Sequence, residues 1–234
     1  MHAMILCGGR ATRLGEITKE LPKILLDIGG RTILEYQAAM LKEAGVTEIF
    51  LASGHLHDVL QEHVGHEILG MPVHYVQEKE KLGTGGAIKN ALAVMTEYPI
   101  FVLNGDILLD SRLSEMSAML TPEMDALLLG VEVPDASSFG RLVTEEGTGR
   151  INAFVEKDPN HTGSGLINGG VYLLNKSFNN FFPEEKAFSV EYDVFPNVEH
   201  LFAFHYKGTW IDIGTPERLD YARNYLPSHF HKDA

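Results

Sequence analysis

A Rossmann-like α/β fold, with a doubly wound, mostly parallel sheet extended by antiparallel strands, is predicted by three features of the 234-residue sequence. Short apolar runs alternate with helical periodicities of about 10 to 15 residues through the first half, the pattern of parallel βαβ units. Charged or glycine-rich segments follow the ends of several of those runs, where open α/β sheets bind ligands. From about residue 135 the helical stretches give way to strands with short connections, which adds antiparallel pairing.

The elements follow in order. Ala3–Cys7 is an apolar run stopped by Gly8-Gly9 and reads as a buried strand. Thr32–Ala44 carries Ile33, Leu34, Ala38, Met40 and Leu41 on a helical stripe and ends at Gly45. Glu48–Ala52 is a strand, His57–Val64 a short helix and Val73–Val76 a strand. Thr84–Met95 reads as a helix before the strand Ile100–Leu103, and the helix Leu113–Leu120 precedes the strand Asp125–Val133. In the second half Arg141–Thr144, Ile151–Glu156 and Leu166–Leu174 read as strands. Leu201–Tyr206 and Thr209–Ile213 read as a further pair of strands. Pro216–Tyr225 is a closing helix with proline at its start.

Composition bounds the function. At 25.9 kDa, with 44% hydrophobic and 22% charged residues, the chain suits one ordinary globular domain, 1–234. A single cysteine, Cys7, allows no internal disulfide and fits a reducing compartment. No apolar run approaches the roughly 20 residues that span a bilayer, and Met1–Leu6 lacks a basic leader, so the expected location is cytoplasmic. A net charge of −13 argues against nucleic acid or an anionic membrane as partner. Within it, Arg10, Arg13, Lys19, Lys23 and Arg31 make residues 1–31 a basic island. That island fits a small anionic ligand bound locally, and equally a chance fluctuation over a short window.

The segment Gly8-Gly9-Arg10-Ala11-Thr12-Arg13 has the parts of a phosphate loop. Glycines let backbone amides approach closely, and arginine supplies a forked cation. It lacks the Gly-Lys-Ser/Thr of a Walker loop, and Gly83-Thr84-Gly85-Gly86-Ala87-Ile88 has Ile88 where the third glycine of a dinucleotide fingerprint would fall. Pro22 stiffens the backbone before Lys23 and could aim it back at the loop.

Gly8-Gly9-x-x-Thr12-Arg13-Leu14 followed by Leu21-Pro22-Lys23 resembles the signature of sugar-1-phosphate nucleotidyltransferases. The likeness continues through Leu82–Ala87, Leu103-Asn104-Gly105-Asp106, Phe139-Gly140, Glu156-Lys157, Ile167-Asn168-Gly169-Gly170 and Trp210–Pro216. Each piece alone is weak; their order and spacing are specific. The family pattern usually has glycine where this chain has Ala11, which at positive φ would cost roughly 1 kcal/mol.

The resemblance implies the nucleotidyltransferase fold and transfer of a nucleotidyl group to a sugar 1-phosphate with release of pyrophosphate. Residues 1–134 would form the nucleotide-binding half and 135–234 the sugar-binding half. Asp106 and Asp212 would hold Mg²⁺. Arg13 and Lys23 would act as catalytic cations on the triphosphate. Leu6, Gly8, Gly9, Glu78, Gly83 and Thr84 would line the nucleotide site. Gly140, Glu156, Lys157, Asn168 and Gly169 would hold the sugar phosphate. The partners implied are a nucleoside triphosphate and a sugar 1-phosphate, and a homodimer is compatible with the likeness.

Glu78 occupies the position that resembles the family's base reader. An ionised carboxylate only accepts hydrogen bonds, and guanine offers adjacent N1–H and N2–H₂ donors, so Glu78 points to GTP. It also sits in the charged run Glu78–Lys81, which a solvated face would explain. Within the family the motifs look most like D-glycero-α-D-manno-heptose 1-phosphate guanylyltransferases, with mannose 1-phosphate guanylyltransferases close behind. A catalytically silent relative is the competing class, although Asp106, Asp212, Arg13 and Lys23 are all kept. Cys7 reads as small-residue packing and His55-Leu56-His57-Asp58 as a solvent-exposed loop.

Overall fold

The computed structural model describes residues 1–110, 112–155, 160 and 162–229, with side chains as far as Tyr225. The first half runs β1 (His2–Leu6), α1 (Ile33–Glu43), β2 (Glu48–Ser53), α2 (His57–Val64), β3 (Glu67–Ile68), β4 (Met71–Gln77), α3 (Gly83–Leu92), β5 (Ile100–Asn104), β6 (Ile107–Leu109) and α4 (Leu113–Met119). The second runs β7 (Ala126–Val133), β8 (Arg141–Thr144), β9 (Ile151–Val155), β10 (Gly165–Leu174), β11 (Leu201–Tyr206), β12 (Trp210–Asp212) and α5 (Pro216–His229).

Ten strands form one sheet in the order β11-β7-β10-β5-β1-β2-β4-β3, with β8 and β9 joined through β10. The four strands β4, β2, β1 and β5 are parallel neighbours. Side chains alternate across that core with the strand period of two. On β1, Ala3 and Ile5 enter the cluster beneath α1, while Met4 enters the cluster beneath α3. On β5, Phe101 and Leu103 go to the first face, Ile100 and Val102 to the second. The chain adds β2 and β4 on one side of β1 and then crosses to add β5 on the other. The strand order therefore reverses between β1 and β5, and the crevice at such a switch point lies beyond Leu6 and Asn104.

The antiparallel extension expected from the second half is present. β10 lies antiparallel between β5 and β7. Its register shifts between Asn168 and Tyr172, a bulge at Gly169-Gly170. The expected pairing of 201–206 with 209–213 does not form. β11 runs parallel to β7, and β12 instead pairs antiparallel with β6 in a separate two-stranded ladder. β11 is taken up by the edge of β7, and the three buried residues of β6, after the Gly105-Asp106 turn, offer β12 its partner.

A segment without long helices, containing short turns at Lys176–Phe181 and Val190–Val194, packs over the start of α3. The Phe188 carbonyl accepts from the amides of Gly85 (3.0 Å) and Gly86 (3.3 Å), and the Phe188 amide donates to Leu82 O (2.9 Å). Side chains at Gly85 and Gly86 would collide with the Phe188 ring and the Lys186 carbonyl. These two glycines therefore serve close packing, and the helix N-terminus they form is already satisfied by protein.

Candidate functional site

Beyond Leu6 the chain turns through Cys7–Arg13 along the switch-point crevice. Ala11 adopts left-handed dihedrals, φ 47° and ψ 41°. Its carbonyl accepts from Thr18 Oγ1 at 3.2 Å, which fixes the loop that carries Arg13. A cavity of about 390 Å³ opens here, lined by Leu6, Gly8, Gly9, Arg13, Lys23, Glu78, Gly83, Thr84 and Asp106 among others. Its volume falls in the usual range of ligand sites, about 300–1,000 Å³. Cys7 also lines it, with its thiol donating to Ala52 O at 3.3 Å; burial pushes the thiol pKa well up, so it packs as a neutral group.

Glu78 lines the cavity beside Gly8. A Cβ on Gly8 would come within 2.8 Å of Glu78 Oε1, so a glycine is needed for the carboxylate to lie there. Burial raises the pKa of Glu78, and a 3.5 Å hydrogen bond from the Leu82 amide opposes that rise.

The two aspartates meet. The β6–β12 ladder sets Asp212 directly opposite Ile107, the neighbour of Asp106. The Ile213 amide donates to the Asp106 carbonyl at 2.8 Å, tying the two turns together. Lys23 Nζ lies 2.7 Å from Asp106 Oδ2, and Arg218 Nη1 lies 2.7 Å from Asp212 Oδ2. Asp212 Oδ1 is buried and has no hydrogen-bond partner among the described residues. Burial first, and then the charge of Asp106, raises the pKa of Asp212; Arg218, Lys23 and Arg13 act against the rise.

This donor set fits a hard divalent cation. Mg²⁺ takes one or two carboxylates and completes its shell with phosphate oxygens and water. Asp106 and Asp212 would supply the carboxylates, and the orphan Oδ1 of Asp212 is the clearest vacant acceptor. Among the described residues no group of three or more His, Cys, Asp or Glu is placed to hold a metal.

A second cavity, of about 410 Å³, adjoins the first. Arg13, Thr84, Asn104 and Asp106 line both. Its other walls include Phe139, Gly140, Asn168, Glu191, Trp210 and Asp212. The β10 bulge turns Asn168 to this wall, where its Oδ1 accepts from the Gly170 amide (3.1 Å) and its Nδ2 donates to Tyr172 Oη (3.0 Å). A side chain at Gly170 (φ 75°) would be strained, and its Cβ would lie 2.7 Å from Asn104 Nδ2. Trp210 meets Phe139 edge-on at 5.6 Å, and the Arg218 guanidinium lies over the same Phe139 ring at 5.1 Å.

Most residues singled out from the sequence converge on these cavities. Glu156 and Lys157 lie outside the described residues. Gly169 is placed differently from its expected role of presenting backbone to a ligand. It is off the cavity wall, its carbonyl accepts from Trp210 Nε1 at 2.9 Å, and its Cα faces Leu129. Gly140 does line the wall, with its carbonyl accepting from the Asn168 amide at 3.0 Å. Thr84 lines both cavities and does not cap α3. Its hydroxyl donates to Glu191 Oε2 (2.6 Å) and accepts from the Val190 amide (3.0 Å).

Sequence reasoning missed Glu191, Arg218 and Lys81. Glu191 follows Ser189, whose hydroxyl accepts from the Glu191 amide (3.2 Å) and donates to its carboxylate (2.6 Å), so Ser-x-Glu was the available signal. Arg218 lies in the first turn of α5, six residues past Asp212, and Lys81 lines the first cavity from within the charged run.

The family model described as "Nucleotidyl transferase" matches residues 2–228, and the chain belongs to this family. Among curated relatives, the chain is 37% identical to the D-glycero-alpha-D-manno-heptose 1-phosphate guanylyltransferase of Campylobacter jejuni, over 93% of this chain and 96% of that one. It is 33% identical to the mannose-1-phosphate guanyltransferase of Yarrowia lipolytica, over 93% of this chain but only 61% of that longer protein. Among solved structures, HddC from Yersinia pseudotuberculosis in complex with GMP-PN superposes with a TM-score of 0.83 at 32% identity, covering 96% of this chain and 99% of that one.

Two outcomes follow for stability. Ala11→Gly stabilises the protein by about 0.5–1 kcal/mol. Relief of left-handed strain, about 1–2 kcal/mol, exceeds the freedom that glycine adds to the unfolded chain, about 0.4–1 kcal/mol. Denaturant unfolding measures this, and a net loss would contradict the strain. For Asp212, a raised carboxyl pKa means that the folded state resists ionisation, so the charge lowers stability above that pKa and the cost fades as pH falls through it. Asp212→Asn therefore raises the Tm of the metal-free protein at neutral pH, with the gain shrinking toward about pH 4, where ordinary aspartates also protonate. An unchanged or lower Tm at neutral pH contradicts this.

Proposed function

We propose that this protein transfers GMP from GTP to a sugar 1-phosphate, D-glycero-α-D-manno-heptose 1-phosphate, with release of pyrophosphate and with Mg²⁺ as cofactor. The observation that carries the proposal is the shared wall of the two cavities: Arg13 and Asp106 face both, so ligands in the two spaces meet at one cation and one carboxylate. The 37% identity to a heptose 1-phosphate guanylyltransferase across nearly the whole of both chains supports this choice of substrates.

In this reading residues 1–134 supply most of the nucleotide site. Glu78 accepts from guanine N1–H and N2–H₂, and Gly8 leaves the space for its carboxylate. Gly9 and Gly83 line the space around the nucleotide, and Arg13 and Lys23 face its phosphates. Asn168, Gly140 and Glu191 hold the sugar in the second cavity, with Trp210 and Phe139 as apolar walls. This reading also assigns Glu156 to the sugar hydroxyls and Lys157 to the sugar phosphate, as the family resemblance implies.

A phosphate monoester is largely a dianion at neutral pH, its second pKa being near 6, so its oxygen attacks the α-phosphorus without a general base. The new P–O bond forms in line as the bond to the β-phosphate oxygen breaks, and the electron pair leaves with pyrophosphate. Two polyanions must approach each other, so the protein's task is positioning and charge neutralisation. Asp106 and Asp212 would hold Mg²⁺, which would supply charge neutralisation for the phosphates. Lys23, hydrogen-bonded to Asp106 on the wall of the first cavity, adds positive charge beside the phosphates.

The test is pyrophosphate release from ATP, GTP, UTP or dTTP with heptose, mannose or glucose 1-phosphate. GTP with the heptose phosphate should turn over fastest. Preference for mannose 1-phosphate would support the second reading, which the mannose 1-phosphate guanylyltransferase relatives at 33–37% identity favour. Absence of turnover with every pair would overturn the proposal. Glu78→Gln should narrow or reverse the preference for GTP over UTP and dTTP. In the parent enzyme the KM for GTP should rise as pH falls, beginning above the ordinary glutamate range because the Glu78 pKa is raised. An unchanged nucleotide ranking removes Glu78 from base reading.

A further inference from the structure

Gln37 lies on α1, has no solvent exposure, and belongs to no motif read from the sequence. Its Nε2 donates to Asn104 O at 2.9 Å and to Ile107 O at 2.8 Å. Those carbonyls flank the Gly105-Asp106 turn, so both amide protons of one side chain close a bracket around the aspartate. The bracket is continued by the backbone. Gly105 N donates to Leu6 O at 3.0 Å, and Asp106 O accepts from Ile213 N at 2.8 Å.

Few side chains could do this. Glutamate has no proton to give, a buried lysine would bring a charge, and leucine or methionine would leave two carbonyls without this donor. Gln37 Oε1 is itself buried with no hydrogen-bond partner among the described residues. The side chain therefore gives both of its amide protons to the Asp106 turn and leaves its own acceptor unused. The helix that holds it is a firm reference. Thr32 and Glu35 form a reciprocal cap at its start, Leu34 and Leu41 are buried in the core, and α1 packs against β6.

We propose that Gln37 is a positioning residue for nucleotidyl transfer: it fixes the Asp106 turn against α1 so that the carboxylate meets Asp212 and Lys23 in register. The proposal rests on the reading of Asp106 as part of the transfer site. Gln37→Met keeps the volume and removes both donors, and Gln37→His keeps one. Misplacing a reacting group by about 1 Å costs on the order of 100-fold in rate.

The experiment compares parent, Gln37→Met, Gln37→His and Asp106→Asn well below their melting temperatures. It measures kcat and KM for GTP, and Mn²⁺ binding to the GTP complex by electron paramagnetic resonance. In Gln37→Met, kcat should fall by about 10–100-fold with the GTP KM within about threefold, because the lost alignment acts mainly in the transition state. Mn²⁺ should bind more weakly, and Gln37→His should fall between. If Gln37→Met does not fold, a reduced kcat and weaker Mn²⁺ binding in Gln37→His support the proposal, and parental values in that variant overturn it. A folded Gln37→Met with a lower Tm but parental kcat and Mn²⁺ affinity makes Gln37 structural only and ends the proposal. Full turnover by Asp106→Asn would instead defeat the reading of Asp106, whatever Gln37 does.

Discussion

Asp106 and Asp212 are distant in the chain and one position apart on the β6–β12 ladder. Two carboxylates held that close repel each other, and the fold keeps them there with a backbone bond from Ile213 to Asp106 and with one cation on each. The rest of the site is arranged around this constraint. Lys23 and Arg218 each occupy one aspartate oxygen, which leaves Asp212 Oδ1 buried and free to bind. A protein built for stability alone would have little use for such a pair; a protein that must bring two phosphorylated substrates together needs a strongly negative point that a divalent cation can neutralise.

The sheet topology explains why this happens at one place. The strand order reverses between β1 and β5, so the loop after Leu6 and the turn after Asn104 face the same crevice. The second half does not form a separate layer. β10 inserts against β5, its bulge presents Asn168, and the β12 ladder brings Asp212 back to the crevice. The segment around Phe188–Glu191 then covers the glycine-rich start of α3. It links Thr84, on the wall common to both cavities, to Glu191 and so to the Tyr172–Asn168 pair.

Much of this was legible in the sequence. Parallel strands with continuous apolar runs and helices closed by glycine stand out because burial on both faces leaves a dense hydrophobic signal. The loop residues Gly8, Gly9, Arg13 and Lys23 were recognisable because glycines and charge after a strand end are chemically conspicuous, whereas Asp106 and Asp212 stood out only through the order and spacing of the motifs that resemble the family signature. What escaped notice had weaker signals. β6 is three buried residues after a turn, and its pairing with β12 is set by tertiary contacts that no local pattern encodes. In Asn168-Gly169-Gly170 the sequence reading chose Gly169 for the ligand space; the bulge puts Gly170 on the cavity wall and turns Gly169 to Leu129. Gly85 and Gly86 resemble a ligand loop but are small because Phe188 and Lys186 lie on them. Gln37 looked like any polar residue on a helix, since burial of a single amide is invisible without the fold.

The central claim is that the two aspartates form one cation site between the cavities. A crystal structure of the protein with Mn²⁺ and a non-hydrolysable GTP analogue tests it most directly, because the anomalous signal locates the ion independently of the protein coordinates. The account predicts a peak within coordinating distance, about 2–2.3 Å, of both Asp106 and Asp212. A peak bound elsewhere, or one with either carboxylate turned away from the ion, would contradict it.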